Sequence, residues 1–196
     1  MTLNPNKNHK PVCHVRAALL AALLLGASLL AASPAAWAQA GDSGIVDARE
    51  AFRKKDRARL AALRGAALAA NHPLAMWADY WELTNRIGDV QQAEVDSFSA
   101  RWSGAYVDDR FRNDWLLELG KRRDWANFNV EFPRFRLNDD REVTCYALLT
   151  EHLAGKDVRD AALAAWFAQR DADDGCALLA ATLTDAKQLN AADAWR

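Results

Sequence analysis

The chain has 196 residues, of which 51% are hydrophobic and 26% charged, and its formal net charge is −1. This composition excludes an intrinsically disordered chain, which would have too few apolar residues to form a core. The balanced charge disfavours a nucleic-acid-binding protein, because such a protein needs a basic surface to neutralise phosphates.

The first segment has the charge and hydropathy pattern of a secretory signal peptide. Residues 1–16 include three basic residues and no acidic one, and residues 17–32 are apolar. Ala36 and Ala38 have the small side chains that signal peptidase requires, so the predicted cleavage site lies between Ala38 and Gln39. The alternative is an uncleaved membrane anchor, but this apolar run is shorter than the roughly 20 residues that cross a bilayer. We therefore expect an exported, periplasmic protein without stable membrane insertion.

The predicted organisation is a signal peptide over residues 1–38, a short linker over residues 39–45 and one α-helical domain over residues 46–196. Cleavage would remove three of the 25 basic residues and none of the 26 acidic ones, leaving 22 against 26. The remaining domain is long enough to bury one core.

From residue 46 onward, apolar residues recur every three or four positions, and the alternation typical of strands is missing. The pattern predicts helices over about 46–54, 57–70, 73–88, 91–102, 106–122, 125–132, 138–153 including its cap, 158–169 and 173–186, with another beginning at 191. Several of them are apolar on two sides, which favours an antiparallel helical-hairpin superhelix, an α-solenoid. An ordinary helical bundle is the alternative.

Aromatic residues follow the same spacing. Phe111, Trp115 and Leu119 are four residues apart and should share one buried helix face. Trp81 also lies at core spacing. Stacking on a sugar ring is the alternative role for these tryptophans, but the spacing favours core packing.

Three pairs of adjacent aspartates are candidate proton-transfer groups: Asp108–Asp109, Asp139–Asp140 and Asp173–Asp174. Each pair lies where a helix is predicted to begin. Carboxylates at that position accept hydrogen bonds from free backbone N–H groups. We therefore expect these pairs to cap helices.

No other pattern indicates catalysis. His72 and His152 have no histidine or cysteine partner at metal-ligand spacing, and no nucleophile elbow or phosphate-binding glycine loop is present. The sequence therefore predicts no catalytic, metal-binding or cofactor-binding residue. Arginines are frequent in the second half of the chain: Arg110, Arg112, Arg122, Arg123, Arg134, Arg136 and Arg141. A solvated surface with local ion pairs is the expected arrangement, and a groove for an acidic glycan or peptide is the alternative.

Two cysteines, Cys145 and Cys176, follow the signal peptide. In the oxidising environment that export implies, such a pair tends to form a disulfide. Two independent buried thiols are the alternative. The spacing excludes a C-x-x-C redox site.

Several stretches resemble the superhelical N-terminal domain of soluble lytic murein transglycosylases: HPL at 72–74, DYWEL at 79–83, DRFRNDWLLELGKR at 109–122, NDDREV at 138–143, CYAL at 145–148 and GC at 175–176. The resemblance covers about residues 71–196 and, more loosely, the helices from residue 46. It implies the opening arc of a U-shaped superhelix, truncated at its C-terminal end. It also implies a disulfide between Cys145 and Cys176, since the family has a bonded pair at these positions.

Members of that family are periplasmic enzymes that cleave the MurNAc–GlcNAc bond of peptidoglycan without water and leave a 1,6-anhydromuramoyl product. Their catalytic glutamate lies in a Glu-Ser motif of a C-terminal lysozyme-like domain, and this chain has no Glu-Ser dipeptide. The resemblance therefore implies a scaffold that is inactive alone, needs no cofactor, and meets glycan strands or envelope proteins within a complete enzyme. A free-standing helical-repeat interaction module of the cell envelope is the alternative.

Overall fold

The computed structural model describes residues 34–190 and 192–193, with side chains from residue 42 onward. Over these residues the chain is all-helical and contains no strand, which confirms the predicted all-α class. The helices are α1 (Pro34–Arg53), α2 (Arg57–Ala69), α3 (Ala75–Asn85), α4 (Gln92–Trp102), α5 (Tyr106–Arg122), α6 (Trp125–Glu131), α7 (Arg141–Leu153), α8 (Arg159–Phe167) and α9 (Asp174–Asp185). None of the described helices has the length and apolarity needed to cross a membrane. Most of the predicted signal peptide and the helix expected at 191 lie outside the described residues.

The first helix begins earlier than the sequence pattern suggests. α1 includes residues 39–45, which are predicted to be a short linker, although Asp42, Ser43 and Gly44 are weak helix formers. Ile45 and the next turns of α1 are buried against α2 and α3, so packing outweighs local propensity. Contacts divide the chain at Ala40, and the packing described below lies within Gly41–Arg196.

Helix starts depend on aspartate side chains, as predicted for several of them. Asp56 accepts a hydrogen bond from the backbone N–H of Arg59 and caps α2. Asp140 caps α7 and Asp173 caps α9 in the same way. Each carboxylate satisfies a donor that the first helical turn leaves free.

From α3 onward, each odd-numbered helix packs on the next odd-numbered helix, and the even-numbered helices pack on their odd-numbered neighbours. α2 packs on α3, α6 on α5 and α8 on both α7 and α9. In addition, α3 packs on α5, α5 on α7 and α7 on α9. The odd-numbered helices α3 to α9 thus form one continuous row.

The largest hydrophobic cluster lies along α5. Phe111, Trp115 and Leu119 are all buried, which confirms the predicted helix face. The indole N–H of Trp115 donates to Gln92 Oε1 on α4 at 3.1 Å, so its one polar atom is satisfied.

A disulfide joins α7 to α9 through Cys145 and Cys176, the pair expected from the sequence. The two Cα atoms are 4.9 Å apart, and both residues are buried in a second hydrophobic cluster that includes Leu149 and Leu179. The bond fixes two adjacent helices of the odd-numbered row.

A glycine allows α5 and α7 to approach each other. A Cβ atom at Gly120 would overlap the ring of Tyr146. We expect Gly120→Ala to lower the free energy of unfolding by about 1 to 3 kcal/mol in urea titrations, because overpacking forces the helices apart.

The matched control is Gly65→Ala in the middle of α2. A Cβ atom there meets nothing within 4 Å. We expect this change to raise stability by about 0.5 to 1 kcal/mol, since alanine is the better helix former. Similar effects at both positions would contradict the close contact at Gly120.

Candidate functional site

A groove of about 400 Å³ runs along α5, with α3 on one side and α7 and α9 on the other. Its polar lining comes from separate helices: Tyr80 and Thr84 from α3, Arg110, Asp114, Glu118 and Lys121 from α5, Glu142 and Tyr146 from α7, and Asp174 from α9. We call this feature the α5 groove. It is the place where titratable groups from four helices meet, and we treat it as the candidate site.

The side chains that α5 contributes to the groove share one helix face because of their spacing in the sequence. Arg110 and Asp114 are four residues apart, and Lys121 is seven residues further, so all three share one face of a 17-residue helix. The Arg110 guanidinium lies 3.6 Å from Asp114 Oδ1, and its side chain is about half exposed. With Glu118, which also lines the groove, this one helix therefore presents two cations and two carboxylates.

At one position in the groove, Asp114 meets two hydroxyl groups of α3. Tyr80 donates to Asp114 Oδ2 at 2.7 Å, and Thr84 donates to the same oxygen at 3.4 Å. Burial raises the pKa of Asp114 above its ordinary value, although the Tyr80 hydrogen bond and the charge of Arg110 oppose the rise. Burial and the negative charge of Asp114 also raise the pKa of Tyr80.

Glu142 and Tyr146 repeat this pairing on α7. Tyr146 donates to Glu142 Oε1 at 3.2 Å, and the backbone N–H of Gly175 donates to the same oxygen at 3.3 Å. Burial, reinforced by the negative charge of Asp173, raises the pKa of Glu142. A Cβ atom at Gly175 would lie 2.7 Å from the Glu142 carbonyl oxygen, so glycine is needed for this approach of α9 to α7.

Aromatic rings form a row that reaches the groove. Phe52 stacks on Trp81, Trp81 lies 6.2 Å from Trp77, and Trp77 lies 6.4 Å from Tyr106 between ring centroids. Trp77 also contacts Tyr80 edge to face at 5.9 Å. Tyr106, one turn before Arg110 on α5, is 59% exposed. The groove thus has an open aromatic ring beside one end of its charged face.

The chemistry available in the groove is hydrogen bonding combined with contact to flat rings. It offers carboxyl oxygens as acceptors and the Arg110 and Lys121 side chains as donors. Within residues 42–190 and 192–193, no three His, Cys, Asp or Glu side chains are grouped to hold a metal ion. The lining has four carboxylates, including Glu118 and Asp174, and two cations, so it offers more acceptors than charged donors to a ligand.

One of the three aspartate pairs does not cap a helix, and the capping interpretation is wrong there. Asp109 accepts hydrogen bonds from the backbone N–H groups of Arg136 and Leu137, at 3.0 and 2.6 Å. Asp108 pairs with Arg112 at 3.2 Å. Both aspartates are buried, so they bind partners that tertiary packing brings to them and no side chain caps α5.

The arginines do not form one basic groove. Arg110 lines the α5 groove, whereas Arg122 pairs with Glu118 and lies over the Trp115 ring. Arg141 pairs with Asp173. Arg112 is buried rather than solvated, which corrects the expectation of a uniformly exposed set. Local ion pairs account for the others that have a carboxylate partner, Arg134 and Arg136.

The remaining residues considered from the sequence lie away from the groove. His72 Nε2 is 3.0 Å from Asp42 Oδ1, and His152 lies in the last turn of α7, so the two histidines do not converge. Ala38 and Gln39, the predicted cleavage site, fall within the backbone of α1. Cys145 and Cys176 do not line the groove, but they join α7 to α9, and Gly175 next to Cys176 binds Glu142.

Sequence reasoning misses Tyr80, Asp114, Glu142 and Tyr146 as a set. The local signals are the four-residue spacings of Arg110 and Asp114 on α5 and of Glu142 and Tyr146 on α7. The Tyr80–Asp114 hydrogen bond joins residues 34 positions apart, and no short-range pattern encodes it. No protein-family model, curated protein or solved structure that was compared matches the chain.

The pairing of Tyr80 with Asp114 has a measurable consequence. We expect the Asp114 carboxyl to titrate above the ordinary range for aspartate, because burial dominates its pKa. In Tyr80→Phe the pKa should rise further, since the lost hydrogen bond favours the charged form. Carboxyl carbon chemical shifts followed by NMR against pH would measure both values, and an unchanged or lower pKa in Tyr80→Phe would contradict the hydrogen bond.

Proposed function

We propose that this chain is the helical N-terminal scaffold of an exported lytic murein transglycosylase and is non-catalytic by itself. The observation that carries the proposal is the continuous row of α3, α5, α7 and α9, each packed on the next. Stacked helical hairpins produce this pattern of neighbours in α-solenoids. The superhelical arrangement expected from the sequence is part of the same proposal.

The stretches that resemble the transglycosylase family fall on this row. Residues 79–83 lie in α3, and residues 109–122 make up most of α5. Residues 138–143 form the cap and first turn of α7, and residues 175–176 lie in the first turn of α9. These are the segments that build the α5 groove and the disulfide, so the resemblance concerns the residues that determine the packing.

In this role the helical row supports a separate lysozyme-like domain that carries the catalytic glutamate. The scaffold would act in the periplasm, beside the peptidoglycan whose MurNAc–GlcNAc bonds that domain cleaves. Its own task is then to hold glycan strands or envelope proteins near the reaction. The disulfide fits an oxidising compartment of this kind.

Two measurements test the proposal. The first is expression of the full chain with its own N-terminal segment, followed by recovery from the periplasm, where the N-terminal residue should be Gln39. We call the recovered protein the secreted chain. Incubated with purified murein, it should release no 1,6-anhydromuropeptide detectable by mass spectrometry, and a specific product would overturn the non-catalytic role.

The second measurement is the coding sequence that follows codon 196. An open frame that encodes a lysozyme-like domain with a Glu-Ser motif is expected. A stop codon with no such domain would overturn the scaffold role.

A further inference from the structure

We propose that the side chain of Trp195 fills an apolar pocket between α8 and α9 and shields this helical hairpin from water. Trp195 itself lies outside the described residues. The inference goes beyond the proposed function and does not rest on it, because it concerns a contact between residues of this chain alone. We call the feature the α8–α9 pocket.

The pocket has a volume of about 300 Å³ and is lined mainly by apolar side chains. Leu163 and Trp166 contribute from α8, and Leu179 and Ala180 contribute from α9. Leu189, in the segment that follows α9, extends the apolar wall. One water molecule occupies about 30 Å³ in the liquid, so an uncovered pocket of this size would hold roughly ten waters. Covering the walls with an apolar group removes their unfavourable contact with water.

The chain is fixed beside the pocket two residues before Trp195. Asp193 lines the pocket and is 3% exposed. Its Oδ1 accepts a hydrogen bond from the Arg159 guanidinium at 2.9 Å, and its Oδ2 accepts one from the backbone N–H of Asn190 at 3.0 Å. Because Arg159 is the first residue of α8, these bonds hold the segment after α9 against the hairpin.

Covalent geometry then limits where Trp195 can lie. Each residue of an extended chain adds at most about 3.6 Å, so the Cα atom of Trp195 is within roughly 7 Å of that of Asp193. A side chain on so short a tether meets the pocket at a far higher effective concentration than a free ligand does. Trp195 is therefore the large apolar side chain best placed to enter the pocket.

The one polar atom of an indole also has a partner available there. A buried tryptophan N–H usually donates a hydrogen bond. Thr184 lines the pocket, and its hydroxyl donates to the Ala180 carbonyl oxygen at 2.8 Å, so the Thr184 oxygen can still accept one. An apolar wall that includes a hydroxyl acceptor fits an indole better than a purely aliphatic side chain.

A second copy of the chain is a less suitable occupant. Stable protein–protein interfaces bury at least about 1,200 Å². A pocket of about 300 Å³ instead has room for one large side chain. The size of the pocket therefore favours the tethered tryptophan over an interface between copies.

NMR on the secreted chain tests the contact directly. We expect nuclear Overhauser effects between the Trp195 indole and the methyl groups of Leu163 and Ala180. The indole signals are assigned by their loss in Trp195→Ala. The fluorescent apolar probe ANS should bind several-fold more strongly to Trp195→Ala than to the parent chain, because the pocket is then uncovered. Far-UV circular dichroism would verify that the variant remains helical.

Two further variants serve as controls. Phe167→Ala removes an aromatic ring of the same hairpin that is 48% exposed and does not line the pocket, so ANS binding should not change. Ala180→Leu combined with Trp195→Ala should lower ANS binding towards the parent level, because the larger side chain occupies part of the pocket. Binding that stays at the Trp195→Ala level would place the exposed apolar surface elsewhere and contradict the inference.

Three other results would overturn the inference. These are the absence of the expected Overhauser effects, equal ANS binding to the parent chain and to Trp195→Ala, and Overhauser effects found only between differently labelled copies. The last result would identify a second copy as the occupant. None of them bears on the digestion of murein or on the coding sequence after codon 196, so failure of this inference is distinguishable from failure of the proposed function.

Discussion

Reduction of the Cys145–Cys176 disulfide is expected to lower the free energy of unfolding of the secreted chain by about 3 to 4 kcal/mol. The bond closes a loop with a sequence separation of 31 residues. Reduction opens this loop and therefore increases the conformational entropy of the unfolded chain. For a loop of this length the loop-entropy relation gives a loss of stability of about 3 to 4 kcal/mol. Urea titrations with and without reductant would measure the difference.

The control is the double variant Cys145→Ala with Cys176→Ala. Its stability should not respond to reductant and should lie near that of the reduced parent chain. A free-thiol assay on the unfolded, unreduced protein should detect no thiol. Two reactive thiols, or a parent chain whose stability is the same with and without reductant, would contradict the bond.

We expect reduction of the disulfide to affect the candidate site as well as the stability of the core. Cys176 follows Gly175, whose backbone N–H donates to Glu142 in the α5 groove. The disulfide therefore holds the first turn of α9 where it closes one end of the groove. Stability and the geometry of the site depend on the same contact between α7 and α9.

Much of the helical architecture follows from local patterns. The predicted bounds of α5, residues 106–122, agree with the structure, and those of α4 differ by one residue. Apolar spacing and capping aspartates are short-range features, so a linear sequence contains them in full. The start of α1 is different, because burial of Ile45 and Ala48 against other helices overrides the weak local propensity of residues 42–44.

The candidate site depends on contacts that no local pattern encodes. Tyr80 reaches Asp114 across 34 residues, and Asp109 binds backbone groups 27 and 28 residues away. A carboxylate in the first turn of a helix normally has the helix itself as its partner. Only the packing of the segment after α6 against α5 gives Asp109 a better one.

Substitution of Glu131 by glutamine is expected to have the other large effect, a loss of about 3 to 5 kcal/mol in the free energy of unfolding. Glu131 is 1% exposed and accepts hydrogen bonds from Arg112, from Arg134 and from Gln92. The Arg112 guanidinium is itself buried, with Asp108 as its other charged partner at 3.2 Å. Removing the charge of Glu131 leaves two buried charges, Arg112 and Asp108, where three had been arranged around one another, and breaking a buried ion-pair network in this way is more costly than losing an exposed pair.

Arg134→Ala provides the matched control. Arg134 pairs with the same Glu131 carboxylate as Arg112, but its side chain is 56% exposed. Water solvates an exposed ion pair, so this change should cost no more than about 1 kcal/mol. Equal losses in Glu131→Gln and Arg134→Ala would show that burial of Arg112 is not the cause. The difference between the losses in unfolding free energy of the two variants therefore measures how strongly the packing of α4 and α6 on α5 depends on the buried charge of Glu131.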